Sequence, residues 1–406
     1  MIPFAAFPLG NVLSHKEVAN AYGHTLILLL LGGFVLSLAM ERSGAHRRLA
    51  LGMVGLAGQD SNKRLVLGFM VATAVLSMWI SNTATTLMML PVALAVIDQS
   101  DDKELAVPLL LGIAYAANVG GIGTPVGTPP NVVFMGIYAE ATGREVGFLE
   151  WMVIGVPVVI CMLPVIWIHL TRRLTGGGSL DLPEPGPWRM EEKRVLVVFG
   201  LTALAWITRS EPFGGWSGLL DIQGAGDSTV AMAAAVSLFL VSDGKGGRLM
   251  DWETAQALPW GLLILFGGGL AIASAFGASG LSQSLGEALS ALASWPALAM
   301  TLAICLSVTF LTEITSNTAT TTLLMPILAA AAVAAGMEPA LLMAPAAISA
   351  SCAFMLPVAT APNAIVFGTG KFNTATMART GFALNLLGAG IITGLALLLL
   401  GGPMGS

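Results

Sequence analysis

The sequence predicts an all-α, polytopic membrane protein built from two inverted-topology repeats, each with a re-entrant helical hairpin and a broken transmembrane helix. Three observations carry this. First, 55% of the 406 residues are apolar and only 10% are charged, against roughly 25% charge in an average soluble domain. Apolar runs of about 20 residues, enough to cross a hydrocarbon core of about 30 Å, recur from Thr25 to Leu400. Second, the string Ser81-Asn82-Thr83-Ala84-Thr85-Thr86 returns 235 residues later as Ser316-Asn317-Thr318-Ala319-Thr320-Thr321. Third, the 18 Lys and Arg residues separate 15 to 3 across the membrane only if both segments holding this string turn back inside it. Short cytoplasmic loops collect such residues.

Single strands this apolar, without alternation, do not suit a barrel, so each span is read as helix. The chain opens with an N-terminal stub, residues 1–24. Met1 to Leu13 reads as the tail of a hydrophobic segment, and with Lys16 as its only cation the stub does not resemble a cleaved signal peptide. The first repeat is assigned to 25–174. It starts with a span over Thr25–Met40, closing at Ser43-Gly44. Ala45–Leu56 follows, where His46, Arg47 and Arg48 within an apolar stretch indicate an amphipathic helix at the cytoplasmic interface.

Leu65–Ile97 would be about 50 Å long as one helix, yet its middle is the polar Ser-Asn-Thr cluster. It is either one overlong span or two arms that enter and leave by the same side. With hairpins in both repeats only Lys16, Arg144 and Arg209 fall outside, whereas with single spans the cations divide 9 to 9. The charge bias selects a hairpin at 65–97. Residues 105–138 form a helix broken at Gly127-Thr128-Pro129-Pro130-Asn131, since proline removes backbone donors. Trp151–Leu174 completes the repeat.

A Gly/Pro-rich cytoplasmic linker occupies 175–193. The second repeat, 194–400, adds two helices within 194–241 and then follows the first. Gly268-Gly269 and Ser279-Gly280 answer Gly32-Gly33 and Ser43-Gly44. A hairpin at 296–335, with Pro326 for Pro91, precedes a helix over 340–370 broken at Ala359-Thr360-Ala361-Pro362-Asn363. A last span, Ala378–Leu400, and a tail at 401–406 end the chain. Five spans, an odd number, separate the two Ser-Asn-Thr tips, so the second repeat is upside down relative to the first. That is the usual plan of a secondary transporter.

Polar hairpin tips at membrane depth are tolerated only inside protein or beside an aqueous cavity. Two tips from opposite sides imply one shared central site. The helix arms beginning at Thr83 and Thr318 offer free N–H groups and positive dipole ends to an anion. Carbonyl, hydroxyl and amide oxygens at the same place suit a hard cation such as Na⁺, and the amides of Asn82 and Asn317 can serve both. The two proline breaks free carbonyls beside the tips. No Lys or Arg falls within a predicted membrane core, so an anion there needs co-bound cations. Glu313, three residues before the second cluster, faces Met78 in the first repeat. It is read either as a structural hydrogen-bonding group or as a proton or cation site.

Other classes fit poorly. A net charge of −5 without a basic block excludes nucleic acid as a partner. Cys161, Cys305 and Cys352 stand singly in apolar segments and read as small hydrophobes rather than redox groups. No Ser/His, Asp/Asp or metal-ligand constellation sits at membrane depth, so an enzyme is not expected. A channel remains open because re-entrant loops also build filters.

The paired Ser-Asn-Thr hairpins, the two proline breaks and the stretch Gly32-Gly33-Phe34 to Glu41-Arg42-Ser43-Gly44-Ala45-His46-Arg47-Arg48 resemble the divalent anion/Na⁺ symporter family, the INDY-type dicarboxylate transporters, over nearly the whole chain. The resemblance implies an elevator-type homodimer in the cell (inner) membrane. A mobile domain would move against a scaffold that includes the helices of 194–241, carrying C4-dicarboxylates such as succinate, malate or fumarate with Na⁺. It implies one Na⁺ held by Ser77, Ser81, Asn82 and the Gly127 carbonyl, and a second by Thr312, Ser316, Asn317 and the Ala359 carbonyl. Substrate carboxylates would meet Asn82, Thr83, Asn317 and Thr318, with Thr128 and Thr360 close by. A cation-independent exchanger and a carrier of another divalent anion such as sulfate are the neighbouring readings. Members usually carry about three helices ahead of the segment at Thr25. They commonly read Thr-Pro-Pro where this chain has Thr360-Ala361-Pro362, a change expected to relax the pocket while Pro357 and Pro362 keep the break.

Overall fold

A computed structural model describes residues 1–56, 61–102, 104–176, 186–211, 214–222, 224–288 and 295–401. The core of the predicted linker, 177–185, and nearly all of the tail, 402–406, lie outside the described residues. The described chain is helical, without a β-strand. Six helices among the described residues are long and apolar enough to cross a membrane, as a multi-pass membrane protein requires.

In chain order, α1 (Ile2–Leu9) and α2 (His15–Tyr22) precede the long α3 (Thr25–Ser43). Helix α3 ends because Gly44 takes a left-handed conformation, φ 77°, which reverses the chain into α4 (Ala45–Leu56). The first hairpin is α5 (Asn62–Ser77) and α6 (Asn82–Gln99), the first broken helix α7 (Ala106–Gly120) and α8 (Pro129–Thr142), and α9 (Phe148–Thr171) follows. After the linker come α10 (Met190–Ile207), the short α11 (Gly215–Leu219), α12 (Asp227–Leu240), α13 (Trp252–Ala255) and α14 (Trp260–Ala278). Then α15 (Leu281–Ala288), the second hairpin α16 (Ala297–Thr312) and α17 (Asn317–Ala334), the second broken helix α18 (Ala340–Ala350) and α19 (Ala361–Phe367), and α20 (Thr374–Leu400) repeat the earlier sequence of elements. Helix α15 starts 236 residues after α4 begins, the offset that relates the Gly-Gly helices α3 and α14. Self-comparison therefore also contained this counterpart of α4.

At 16 and 18 residues the arms of the first hairpin rise about 24 and 27 Å, short of a full crossing. Length and hydropathy make α17 a candidate span, but its first turn lies in the central cavity with that of α6, so it is a hairpin arm. The two hairpins enter from opposite ends. Lys371, after α19, lies 3.6 Å from Asp98 at the base of the first hairpin. Tyr138, near the end of α8, donates at 2.6 Å to Glu338 at the base of the second. The broken helix α7–α8 thus runs from one hairpin base, past the cavity, to the other.

Packing separates a core, α5–α9 with α16–α20, from a frame of α1–α3, α10, α12 and α14. Helix α4 lies on α5, and α15 bridges α14 and α17. Arg48 fixes α4 to the frame: its Nε is 3.0 Å from Glu192, and it donates to the carbonyls of Gly186 and Pro187. Frame and core meet closely at glycine. A Cβ on Gly33 would lie 2.9 Å from Val126, and one on Gly269 2.5 Å from Thr322.

Candidate functional site

Ser81 and Ser316 are the N-caps of α6 and α17. Their hydroxyls accept from the N–H groups of Ala84 and Ala319 at 3.3 and 3.5 Å, which leaves the first-turn N–H groups of Asn82, Thr83, Asn317 and Thr318 for another partner. Both tips open into one cavity of about 350 Å³ together with Gly127, Thr128, Ala359 and Thr360. Among the described residues its lining includes no charged side chain. A larger cavity of about 660 Å³ lies between α8, α14, α15 and α17, but small apolar residues dominate its wall and none of the repeated tip or break residues reach it.

The breaks are shaped by two asparagines. Asn131 donates to the carbonyls of Gly121 and Thr124 at 3.0 and 2.7 Å, folding residues 121–128 back towards the first tip. Asn363 does the same for Ala353 and Leu356, at 3.0 and 3.1 Å. Position 127 accepts only glycine: a Cβ there would sit 2.5 Å from the Gly121 carbonyl and 2.9 Å from that of Met78. The helix break at 351–360 survives alanine at 361, which starts α19 with Pro362 in its first turn.

Oxygen atoms gather beside the first tip. The buried Ser77 hydroxyl contacts Asn82 Oδ1 at 2.5 Å and the Ala117 carbonyl at 2.8 Å. The Asn82 amide and the Gly127 carbonyl both crowd Gly121. Chemically the set suits Na⁺, because the Ser77 proton can stay on Ala117 while its lone pair and the neighbouring oxygens face an ion. The second tip differs. Thr312 turns its hydroxyl onto its own helix, 3.0 Å from the Val308 carbonyl, and Asn317 Oδ1 is buried without a partner. An orphaned amide oxygen on a residue that lines the same cavity as Ala359 has the chemistry of a cation ligand.

Glu313 is buried, and its carboxylate accepts four hydrogen bonds. These come from the backbone N–H groups of Phe354, Met355 and Leu356, each at 2.9 Å, and from the Asn385 amide at 2.7 Å. Every partner is a donor, which matches the acceptor capacity of the two carboxylate oxygens. Of the two sequence readings of Glu313, this geometry is that of a structural group bracing the second tip, its break and α20. In the first repeat Met78 instead packs its side chain against Gly123. Sequence reasoning missed Asn118, which lines the cavity from α7 and bonds to Thr360 and Asn363. A lone amide within an apolar run was the available signal.

A family model described as citrate transporter (CitMHS) matches residues 1–344. A protein named sodium-dependent dicarboxylate transporter SdcS from Staphylococcus saprophyticus is 44% identical, over 97% of this chain and 80% of that protein. Its namesake from Staphylococcus aureus strain NCTC 8325 is 43% identical, over 97% and 79%. Among solved structures, the YdaH transporter of Alcanivorax borkumensis aligns with a TM-score of 0.67 at 16% identity, over 98% of this chain and 89% of that one. MtrF of Neisseria gonorrhoeae aligns at 0.66 and 15%, over 97% and 85%. At such identity the structures speak for the fold alone, whereas the sequence matches bear out the family resemblance.

Proposed function

Because the chain belongs to the citrate transporter family, we propose that it is a secondary active transporter importing C4-dicarboxylates, such as succinate, malate or fumarate, together with Na⁺. The observation that carries this reading is a central cavity walled by two helix N-termini, amides, hydroxyls and carbonyls, with no charged side chain among the described residues of its lining. Two helix ends offset about one of the two charges of a dianion. Cations bound beside it supply the rest. In this reading Ser77, Ser81, Asn82 and the Gly127 carbonyl hold one Na⁺, and Thr312, Ser316, Asn317 and the Ala359 carbonyl hold another. The carboxylates lie against Asn82, Thr83, Asn317 and Thr318, with Thr128 and Thr360 at the sides. The core moves against the frame as an elevator, in a homodimer, and the glycine contacts at Gly33 and Gly269 give it smooth surfaces to pass. The names of the staphylococcal relatives support both substrate class and ion.

Uptake of labelled succinate into proteoliposomes tests this directly. An inward Na⁺ gradient is expected to drive accumulation, and by linkage succinate and Na⁺ tighten each other's binding by the same factor. Equal uptake in Na⁺-free choline buffer would replace symport with exchange.

A further inference from the structure

Hydrogen-bond polarity in the second repeat can be traced from the backbone outward. Asn363 Nδ2 faces two carbonyl oxygens, those of Ala353 and Leu356. Carbonyls only accept, so the orientation of this amide is fixed and its Oδ1 must point the other way, to Asn118. Asn118 must then present its own Nδ2, 3.2 Å from Asn363 Oδ1 and 3.0 Å from Thr360 Oγ1. Thr360 Oγ1 already accepts from the backbone N–H of Asn363 at 3.3 Å. A hydroxyl has two lone pairs and one proton. With both lone pairs engaged, the Thr360 proton is left to be donated, and Thr360 lines the central cavity.

The first repeat has no such relay. Asn131 is oriented in the same way by Gly121 and Thr124, but its Oδ1 is buried without a partner. The residue 232 positions after Asn118, the offset of the two breaks, is Ala350, which has no donor to give. Thr128 makes no side-chain capping bond, so its hydroxyl is free to donate or accept.

We propose that Asn118 is a positioning residue that makes Thr360 an obligate hydrogen-bond donor to the cavity, so that the second-repeat side of the site selects a group able to accept, an ionised carboxylate, while the Thr128 side is uncommitted. The inference rests on the dicarboxylate reading given above. Its chemistry is that of pre-orientation: the hydroxyl needs no turning when the anion arrives, and it cannot offer a lone pair to a donor such as an amine.

The test is a double-mutant cycle on the full chain in lipid nanodiscs, reading succinate affinity in saturating Na⁺ and thermal stability in parallel. Thr360→Val is expected to weaken succinate about tenfold or more, the scale of one lost hydrogen bond to a charged ligand, and Thr360→Ser to restore it. Asn118→Leu, which frees a lone pair of Thr360 without adding charge, is expected to weaken succinate about three- to tenfold. The double variant should bind within about twofold of Thr360→Val, since the two residues act through one hydroxyl. If Asn118→Leu does not fold, Asn118→Ser enters the same cycle. A merely structural Asn118 would lower the unfolding temperature and leave succinate affinity at the wild-type value, and losses that multiply in the double variant would equally overturn the inference. Failure of the wild-type protein to bind succinate at all would overturn the dicarboxylate reading and this inference with it.

Discussion

The two hairpin-and-break units share a backbone plan and differ in how their polar atoms are connected. In the first, Ser77 and Asn82 are paired, Met78 packs against Gly123, and Thr128 makes no capping bond. In the second, Asn317 Oδ1 has no partner, Thr312 bonds to its own helix, Glu313 gathers four donors, and Thr360 receives two. Repetition of a motif therefore repeats shape more faithfully than electrostatics. The second unit holds the buried carboxylate and leaves Asn317 Oδ1 open at its tip, whereas in the first the equivalent Asn82 Oδ1 is paired with Ser77.

Substitution at the equivalent positions 78 and 313 should give the largest contrast. Glu313→Gln sets an amide N–H against backbone donors in a buried place and is expected to cost ~3 kcal/mol or more. Met78→Leu, an exchange between hydrophobes of similar volume, should cost under ~1.5 kcal/mol. Thermal unfolding in detergent compares the two, and equal losses would remove the asymmetry argued above. Asn82→Ala and Asn317→Ala form the next pair. Without Na⁺, losing the Ser77–Asn82 bond should cost about 1 kcal/mol, whereas Asn317 Oδ1 makes no bond to lose. Both variants should raise the Na⁺ concentration for half-maximal uptake, so the pair separates a structural effect from an ion effect.

The smallest effect concerns two helix caps, Ser14 before α2 and Asp251 before α13. Only the second titrates. Hydrogen bonds from the Thr254 N–H and hydroxyl, with Arg42 at 2.5 Å, hold the Asp251 carboxyl below its ordinary 3.8. A depressed carboxyl stabilises the fold above its ordinary value and loses that contribution as pH falls through the lowered one. The unfolding temperature of Asp251→Asn should lie slightly below wild type at neutral pH and converge with it in strong acid, and the Ser14→Ala difference should shrink in acid only in part, through Glu17, whose carboxyl Ser14 helps hold below its ordinary value.

Much of this was legible in the sequence because the features are local or repeated. The hairpins, both breaks and the shared cavity followed from Ser81–Thr86, Ser316–Thr321 and the two proline motifs, combined with charge bias. The partners of Glu313 and Asn118 were not, for a physical reason. Each has an apolar residue at the equivalent position, Met78 and Ala350, so self-comparison passes over them, and their bonds join residues 41 to 245 positions apart. The roles of Asn131 and Asn363 were hidden differently: both stood in the recognised motifs, but the carbonyls they hold are fixed only by the three-dimensional path of the break.

Glu313 also constrains how the protein is made. Its four donors lie 41, 42, 43 and 72 residues further along the chain, so the carboxylate is synthesised before every group that pairs with it. A carboxylate at membrane depth without partners is costly, and its full set of partners is complete only once α20, which carries Asn385, has been synthesised. The first tip has methionine in that place, Met78, and so holds no carboxylate that must be paired. Full pairing of Glu313 accordingly awaits the last helix.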